Sequence, residues 1–276
     1  MDTWRLMPFR RHDPLENMAI DEALFRAHRE EGGAPVLRFF GWKGSAVSLG
    51  YFQDAEAEID CPYCRRKGIT VVRRPTGGKA VLHGGDLTYS LVARENASLF
   101  SPDVIETYRI ISRCLIRGLA RSGIAVEIVE EGRGGSTTGS GFCFATPYKN
   151  EILAGGRKIC GSAQVRARGV FLQHGSILID FDVPTASAAI GKKGGDPDRR
   201  AREIEAAVTS IREMTGRDIS IDTLCRDIVS GFEEVLQVRM VEGALSAGEE
   251  ALKNRLLREK YRSDEWNMKG RGERGY

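Results

Sequence analysis

The sequence predicts an α+β fold: a mixed, mainly antiparallel β-sheet flanked by α-helices, with a small helical section at the C-terminus. Three observations carry this. Short β-rich runs bounded by glycine recur through the first 190 residues, and two long segments between them have helical spacing. Beyond a Gly, Lys, Asp and Pro loop at 191–200, the periodicity is helical throughout. The chain therefore divides into a core over 1–190, a helical C-terminal section over 191–268 packed on it, and a disordered tail over 269–276 made of glycine and charge.

In chain order, Met18, Ile20, Ala23, Leu24 and Ala27 mark an amphipathic helix over 17–28. Residues 36–40 and 46–49 read as short strands joined by a turn at Gly41-Trp42-Lys43-Gly44. A helix over 55–67 ends at Gly68, and a strand over 69–73 runs into a glycine-rich segment. After a strand over 87–92, Ser101 as N-cap and Pro102 at the first helical position start a helix reaching about residue 121, stopped by Gly123. Residues 124–129 form a strand. Residues 151–153 and 157–160 flank a tight glycine turn and make a hairpin, because Gly155 and Gly156 accept positive φ. Residues 169–180 read as an apolar strand pair broken at His174-Gly175, and 201–214, 221–236 and 246–261 as helices.

A chain of 276 residues with 41% apolar content can bury a sizeable core. Its 41 basic and 38 acidic residues leave a net charge of +3, far from the concentrated footprint of a nucleic-acid binder. No apolar run approaches the roughly 18 residues of a membrane span, and residues 1–11 lack the features of a signal peptide, so a cytoplasmic protein without a membrane partner is expected. Six cysteines are too sparse for a disulfide framework and are expected as reduced thiols. Basic clusters at Arg65-Arg66-Lys67, Arg73-Arg74 and Arg199-Arg200 are either solvated faces or a docking surface for an acidic protein. Nothing demands more than a monomer.

Two stretches carry candidate chemistry. In the first, Gly77 and Gly78 sit among Arg73, Arg74 and Lys79, which favours an anion or an acyl carbonyl close to the backbone; a plain glycine turn with solvated arginines is the alternative. Its glycine spacing fits neither a Walker loop nor a dinucleotide fingerprint. In the second, Cys143 follows a Gly, Ser and Thr segment at 132–141 too polar to pack, and Lys158 sits on the hairpin. A thiol where a loop meets a framework suits a nucleophile. Cys61-Pro62-Tyr63-Cys64 resembles a glutaredoxin dithiol but lies inside a helix, and no second Cys or His pair has zinc-finger spacing, so no metal is expected. His174 is a ligand contact or a satisfied core residue.

Taken together, the motifs 17–23, 37–42, 48–53, 73–83, 158–164 and 172–176, with Lys260-Tyr261 and Trp266-Asn267, resemble the lipoate/biotin protein ligase and octanoyltransferase superfamily, in the family's order. The resemblance implies a biotin/lipoate ligase-like, class II synthetase-like sheet and no cofactor. Cys143 lies 15 residues before Lys158, with Phe144 and Pro147 following, which resembles the octanoyltransferase subgroup of the LipM type; the ligases' Arg-Asn-Asp pattern is not found. By that resemblance, Cys143 carries an acyl thioester and Lys158 positions and polarises the acyl carbonyl. Arg73, Thr76, Gly77, Gly78, Lys79, Ala80, His83, Gly161, Ser162 and Ala163 line the acyl site. Octanoyl-acyl carrier protein is the implied donor, and a lipoyl-domain protein such as the glycine-cleavage H protein the acceptor. Cys160 falls at a position that looks small and apolar in the family, and is taken as packing.

Thioester exchange replaces one sulfur leaving group by another at little cost, and a thiolate needs nearby positive charge, which Lys158 would supply. An eight-carbon chain offers roughly 5 kcal/mol of burial at about 0.8 kcal/mol per methylene. Chain length is then discriminated by pocket depth, around Gly77-Gly78 and His83. The competing readings are an ATP-dependent lipoate ligase that forms a lipoyl-adenylate, and a non-catalytic protein that binds acyl carriers.

Overall fold

The structure, a computed structural model, describes residues 1–95, 99–128, 151–191 and 195–270. Its elements in order are β1 (Thr3–His12), α1 (Pro14–Glu31), β2 (Val36–Trp42), β3 (Ala46–Leu49), α2 (Ala55–Glu58), α3 (Cys61–Lys67), β4 (Thr70–Arg73), β5 (Val81–His83), β6 (Asp86–Arg94) and α4 (Val104–Arg121). There follow β7 (Glu127–Ile128), β8 (Ile152–Ala154), β9 (Arg157–Ala167), β10 (Val170–Leu178), α5 (Val183–Ala189), α6 (Pro197–Ala207), α7 (Ile211–Thr215), α8 (Ile221–Leu236), β11 (Arg239–Glu242), α9 (Ala247–Leu256), a π-helical turn Leu257–Tyr261 and α10 (Asp264–Lys269). No helix among the described residues is long and apolar enough to cross a membrane.

Among the described residues the strands form two sheets. The larger has the order β11-β1-β2-β6-β10-β9-β8-β7, and the smaller β4-β3-β5. Only β11–β1 and β1–β2 pair parallel in the larger sheet, so it is mixed and mainly antiparallel, as expected. Every residue of β2 is buried because both faces of the sheet are covered. Strand alternation sends Leu37, Phe39, Tyr89, Leu91 and Phe171 to the face covered by α4 and α8, where Ile111, Leu115, Leu119, Ile228 and Phe232 meet them. Val36, Val92, Val170 and Leu172 face α1 through Ile20, Leu24 and Phe25. Each such side chain contributes about 1.5–3 kcal/mol on burial.

Several expectations are corrected. β1 was not foreseen, since its Pro8 and four basic residues hide any alternation, and β11 adds a strand to the section expected to be helical. The helix over 55–67 is two, because Ile59 turns extended to bridge Ile190 and Asp60 caps the next helix through Tyr63 N. Asp103 caps α4 in place of Ser101, whose Oγ accepts from Asp103 N at 3.0 Å instead. His174-Gly175 does not break a strand pair: β10 is continuous and pairs Gly175 with Tyr89 and Ser162. The helix over 201–214 divides where Val208 bridges Lys158. Of the strand over 124–129, β7 is the described part, and residues 132–141 and the tail beyond 270 lie outside the described residues.

A buried polar cluster pins α1 to the sheet. Asp21 accepts from Arg38 Nη1 of β2 at 2.6 Å, from Ser90 Oγ of β6 at 2.8 Å and from His174 Nδ1 of β10 at 3.0 Å. Burial works against the Asp21 carboxylate, but the Arg38 guanidinium, with His174 and Ser90, holds its pKa below the ordinary value. Arg38 is itself 2% exposed, so Asp21→Ala would strand its charge in the core. That substitution is expected to cost about 3–5 kcal/mol, read as a lowered midpoint in chemical denaturation.

Candidate active site

A cavity of about 460 Å³ opens between the α1 side of the large sheet, the small sheet and β9. That is within the range of small-molecule pockets. Its wall takes in Lys158, Glu151, Gly161, Ser162 and Ala163 from the β8–β9 hairpin and its continuation, and Arg74, Gly77, Gly78, Lys79 and Ala80 from the glycine-rich loop. Trp42, His83, Tyr108 and His174 also line it.

The hairpin is built as its sequence demands. Gly155 and Gly156 have φ of 56° and 75°, the two positive angles of the turn that matches strand twist. It sets Lys158 opposite Leu153, and a register shift at Ile152 brings Glu151 beside it. Lys158 is 5% exposed, and its Nζ is hydrogen-bonded and ion-paired to Glu151 Oε1. Gly161 lies beneath this side chain: a Cβ there would stand 2.6 Å from Lys158 Cε. Any larger residue would displace the amine.

The glycine-rich loop is held by Arg74. Its Nη2 donates to Gly77 O and Lys79 O, both at 2.8 Å, and its Nη1 to Ser48 O at 2.9 Å. Gly50 closes against it, since a Cβ on Gly50 would fall 1.9 Å from Gly78 O. Arg73, expected in the acyl site, does not line the cavity. Its buried side chain donates to the carbonyls of Gly50, Gln53 and Trp266, between 2.7 and 2.9 Å, and so ties β4 to the turn after β3 and to α10. Strand alternation separates the two arginines: Arg73 points one way and Arg74 the other. Thr76 acts one step away from the wall, with its Oγ1 2.6 Å from His174 Nε2.

Two histidines of the wall, His83 and His174, are each backed by a buried aspartate. Asp21 only accepts, so His174 Nδ1 carries the proton and Nε2 accepts from the Thr76 hydroxyl. Burial lowers the pKa of His174 despite Asp21, which keeps the ring neutral at physiological pH. His83 Nδ1 lies 2.9 Å from Asp86 Oδ2 and its Nε2 2.8 Å from Ser48 Oγ, with Trp42 stacked on the ring at 4.0 Å. Burial opposes the Asp86 charge, yet His83, Gly84 N and Ser176 hold its pKa down at about 2.

Sequence reasoning missed Trp42, Tyr108, Glu151, Asp21 and Asp86. Glu151 left no such signal: counting through the Gly155-Gly156 turn sets Leu153 opposite Lys158, and only the register shift at Ile152 brings Glu151 to it. Cys160 is fully buried in the core beneath α4 and α8, and burial pushes its thiol up to about 12, which fits packing rather than attack. Cys64 is likewise raised by burial, to about 11, and Cys61 is raised too, neither being the activated thiol of a redox dithiol. Among the described residues no group of three or more His, Cys, Asp or Glu is placed to hold a metal. Cys143 lies outside the described residues.

The model of the lipoyl protein ligase A/B catalytic domain matches residues 13–233. The chain belongs to this family. Within the family it is similar to octanoyltransferase LipM of Kyrpidia tusciae, 40% identical over 275 residues, covering 98% of this chain and 100% of that one. It is likewise similar to octanoyltransferase LipM of Carboxydothermus hydrogenoformans, 41% identical over 268 residues, covering 96% and 98%. Among solved members it is similar to the bi-partite lipoate protein ligase of Thermoplasma acidophilum, with TM-score 0.85, 27% identity and full coverage of both chains. It is also similar to a lipoate-protein ligase A bound with ATP, with TM-score 0.80, 28% identity and coverage of 97% and 99%. The two solved structures agree with the architecture described above.

Proposed function

We propose that the protein moves an octanoyl group from octanoyl-acyl carrier protein, through a thioester on Cys143, to a specific lysine of a lipoyl-domain protein such as the glycine-cleavage H protein. It does so as a cytoplasmic monomer, with residues 191–268 as a mainly helical section that adds β11 to the sheet of the catalytic core. Octanoyl transfer in protein lipoylation is the activity supported by relatives matched over almost the whole chain. The observation that carries the chemistry is Lys158, a buried ammonium on the wall of a cavity sized for a short acyl chain.

In the first half-reaction the Cys143 thiolate adds to the thioester carbonyl carbon. The carbonyl electrons move to oxygen, where a Lys158 N–H donates a hydrogen bond to the developing charge. Collapse expels the carrier's thiolate and leaves octanoyl on Cys143. In the second, a neutral lysine amine of the acceptor adds to the same carbon, Cys143 leaves as thiolate, and loss of one proton gives the amide. No step consumes ATP.

An ATP-dependent ligase is the second reading, favoured by the two solved relatives. Octanoyl-acyl carrier protein and a lipoyl-domain protein are mixed with the enzyme without ATP, and the acceptor's intact mass is followed. Octanoylation without ATP is expected. Modification only from free acid plus ATP would mean that the protein is a ligase.

A further inference from the structure

A chain of hydrogen bonds across the large sheet has a fixed direction and ends at the cavity. β8 pairs with β9 only as far as Cys160, and past that point the cavity wall takes in Ser162 and Gln164 of β9 and Tyr108 of α4. Arg166 Nε donates to Gln164 Oε1 at 2.6 Å, and Gln164 Nε2 lies 2.8 Å from Gln173 Oε1. Gln173 Nε2 lies 2.9 Å from Tyr89 Oη, which is 2.7 Å from Ser162 Oγ. The last contact needs Gly175, the residue paired with both across the sheet: a Cβ there would stand 2.5 Å from Ser162 Oγ and 2.7 Å from Tyr89 Cε1.

The direction follows from the first link, because a guanidinium only donates. Gln164 turns its carbonyl oxygen to Arg166 and its amide nitrogen to Gln173. Gln173 receives that bond on oxygen and so offers nitrogen to Tyr89. Tyr89 accepts it, and its own proton goes to Ser162; burial pushes the pKa of this phenol up, so the proton stays on it. Gln173 and Tyr89 are both 0% exposed, and reversing a link between them would leave a buried donor without an acceptor. Ser162 therefore accepts from the sheet and keeps its own proton to give. The Cys160 thiol beside it, pushed up to about 12, is a weak acceptor. An oxygen entering the cavity is the better partner.

We propose that Ser162 is a further catalytic residue, a second hydrogen-bond donor to the acyl carbonyl oxygen beside Lys158, and that Arg166 is the positioning residue that makes it a donor. This rests on the reading of the cavity as the octanoyl site. Lys158 lies over Gly161, the neighbour of Ser162, so both donors come from one stretch of β9. Negative charge develops on that oxygen in both half-reactions, and a hydroxyl already aligned by the chain behind it meets the charge without reorganising.

The test separates polarity from shape. In Gln164→Glu a carboxylate takes the amide's place and only accepts, which reverses the links beyond it. Gln173 then donates to Glu, Tyr89 to Gln173 and Ser162 to Tyr89, leaving lone pairs towards the cavity. Wild type, Gln164→Glu and Ser162→Ala are mixed with octanoyl-acyl carrier protein labelled isotopically at the octanoyl carbonyl carbon. Acylation is timed by intact mass, and the carbonyl stretch of the octanoyl-enzyme is read by infrared difference spectroscopy. Both variants are expected to acylate roughly 10²-fold more slowly, with the stretch moved to higher frequency because a donor to the oxygen is lost. A stretch unmoved in either variant would overturn the proposal whatever the rate does, since slower acylation alone is a packing effect. Should Gln164→Glu not fold, the stretch in Ser162→Ala decides. If wild type neither forms the adduct nor octanoylates a lipoyl domain, the octanoyl-transfer reading fails and the proposal with it.

Discussion

Cys143→Ala is expected to abolish the covalent octanoyl adduct and to lower transfer by roughly 10³-fold or more, the scale of losing a nucleophile. A thioester donor and an amine acceptor both need a site at the same carbon, and the enzyme thiol lets each arrive in turn. Mixing enzyme with octanoyl-acyl carrier protein and reading the intact mass should give a hydroxylamine-sensitive adduct in wild type and in Cys160→Ala. Cys160 is the informative control, because it lies two residues from Lys158 yet is buried with its thiol pushed up to about 12. An adduct that survives in Cys143→Ala, or that vanishes in Cys160→Ala, would move the nucleophile elsewhere.

Lys158→Met should reduce the rate by roughly 10²–10³-fold, the loss seen when one donor to a developing oxyanion is removed. It should also destabilise the fold. Without the ammonium, the largely buried Glu151 carboxylate loses its charged partner Lys158, and breaking such a pair costs about 3–5 kcal/mol. The two effects separate in Lys158→Met/Glu151→Gln, which restores electrical neutrality without restoring the donor. Its melting temperature should recover towards wild type while its rate stays low. Recovery of both would show that Lys158 contributes only through stability.

What was legible in the sequence was what local rules encode. The span of α8, Ile221–Leu236, was read to the residue because its apolar period and length suffice. The β8–β9 hairpin followed from two glycines, and most of the expected acyl-site residues do share one cavity wall. Long-range pairings were not legible. β1 is held by a parallel partner that begins at residue 239, and nothing within residues 3–12 announces it. Arg73 was seen as charge but not as direction: its guanidinium satisfies carbonyls of a segment 193 residues away, whereas Arg74 holds the loop. Asp21, the partner of His174, sits on a helix 153 residues away and was out of reach, whereas Asp86 lies only three residues from His83.

The parallel pairing of β1 with β11 has a consequence for synthesis. The outer edge of β1 is made before its partner and is left unpaired until residues 239–242 emerge from the ribosome. Over that interval the nascent chain presents an open strand edge, a template for pairing with other chains. Arg5, Arg10 and Arg11 put charge along that strand while it waits. Emergence of residues 239–242, rather than formation of the core, then marks the moment at which this edge is closed.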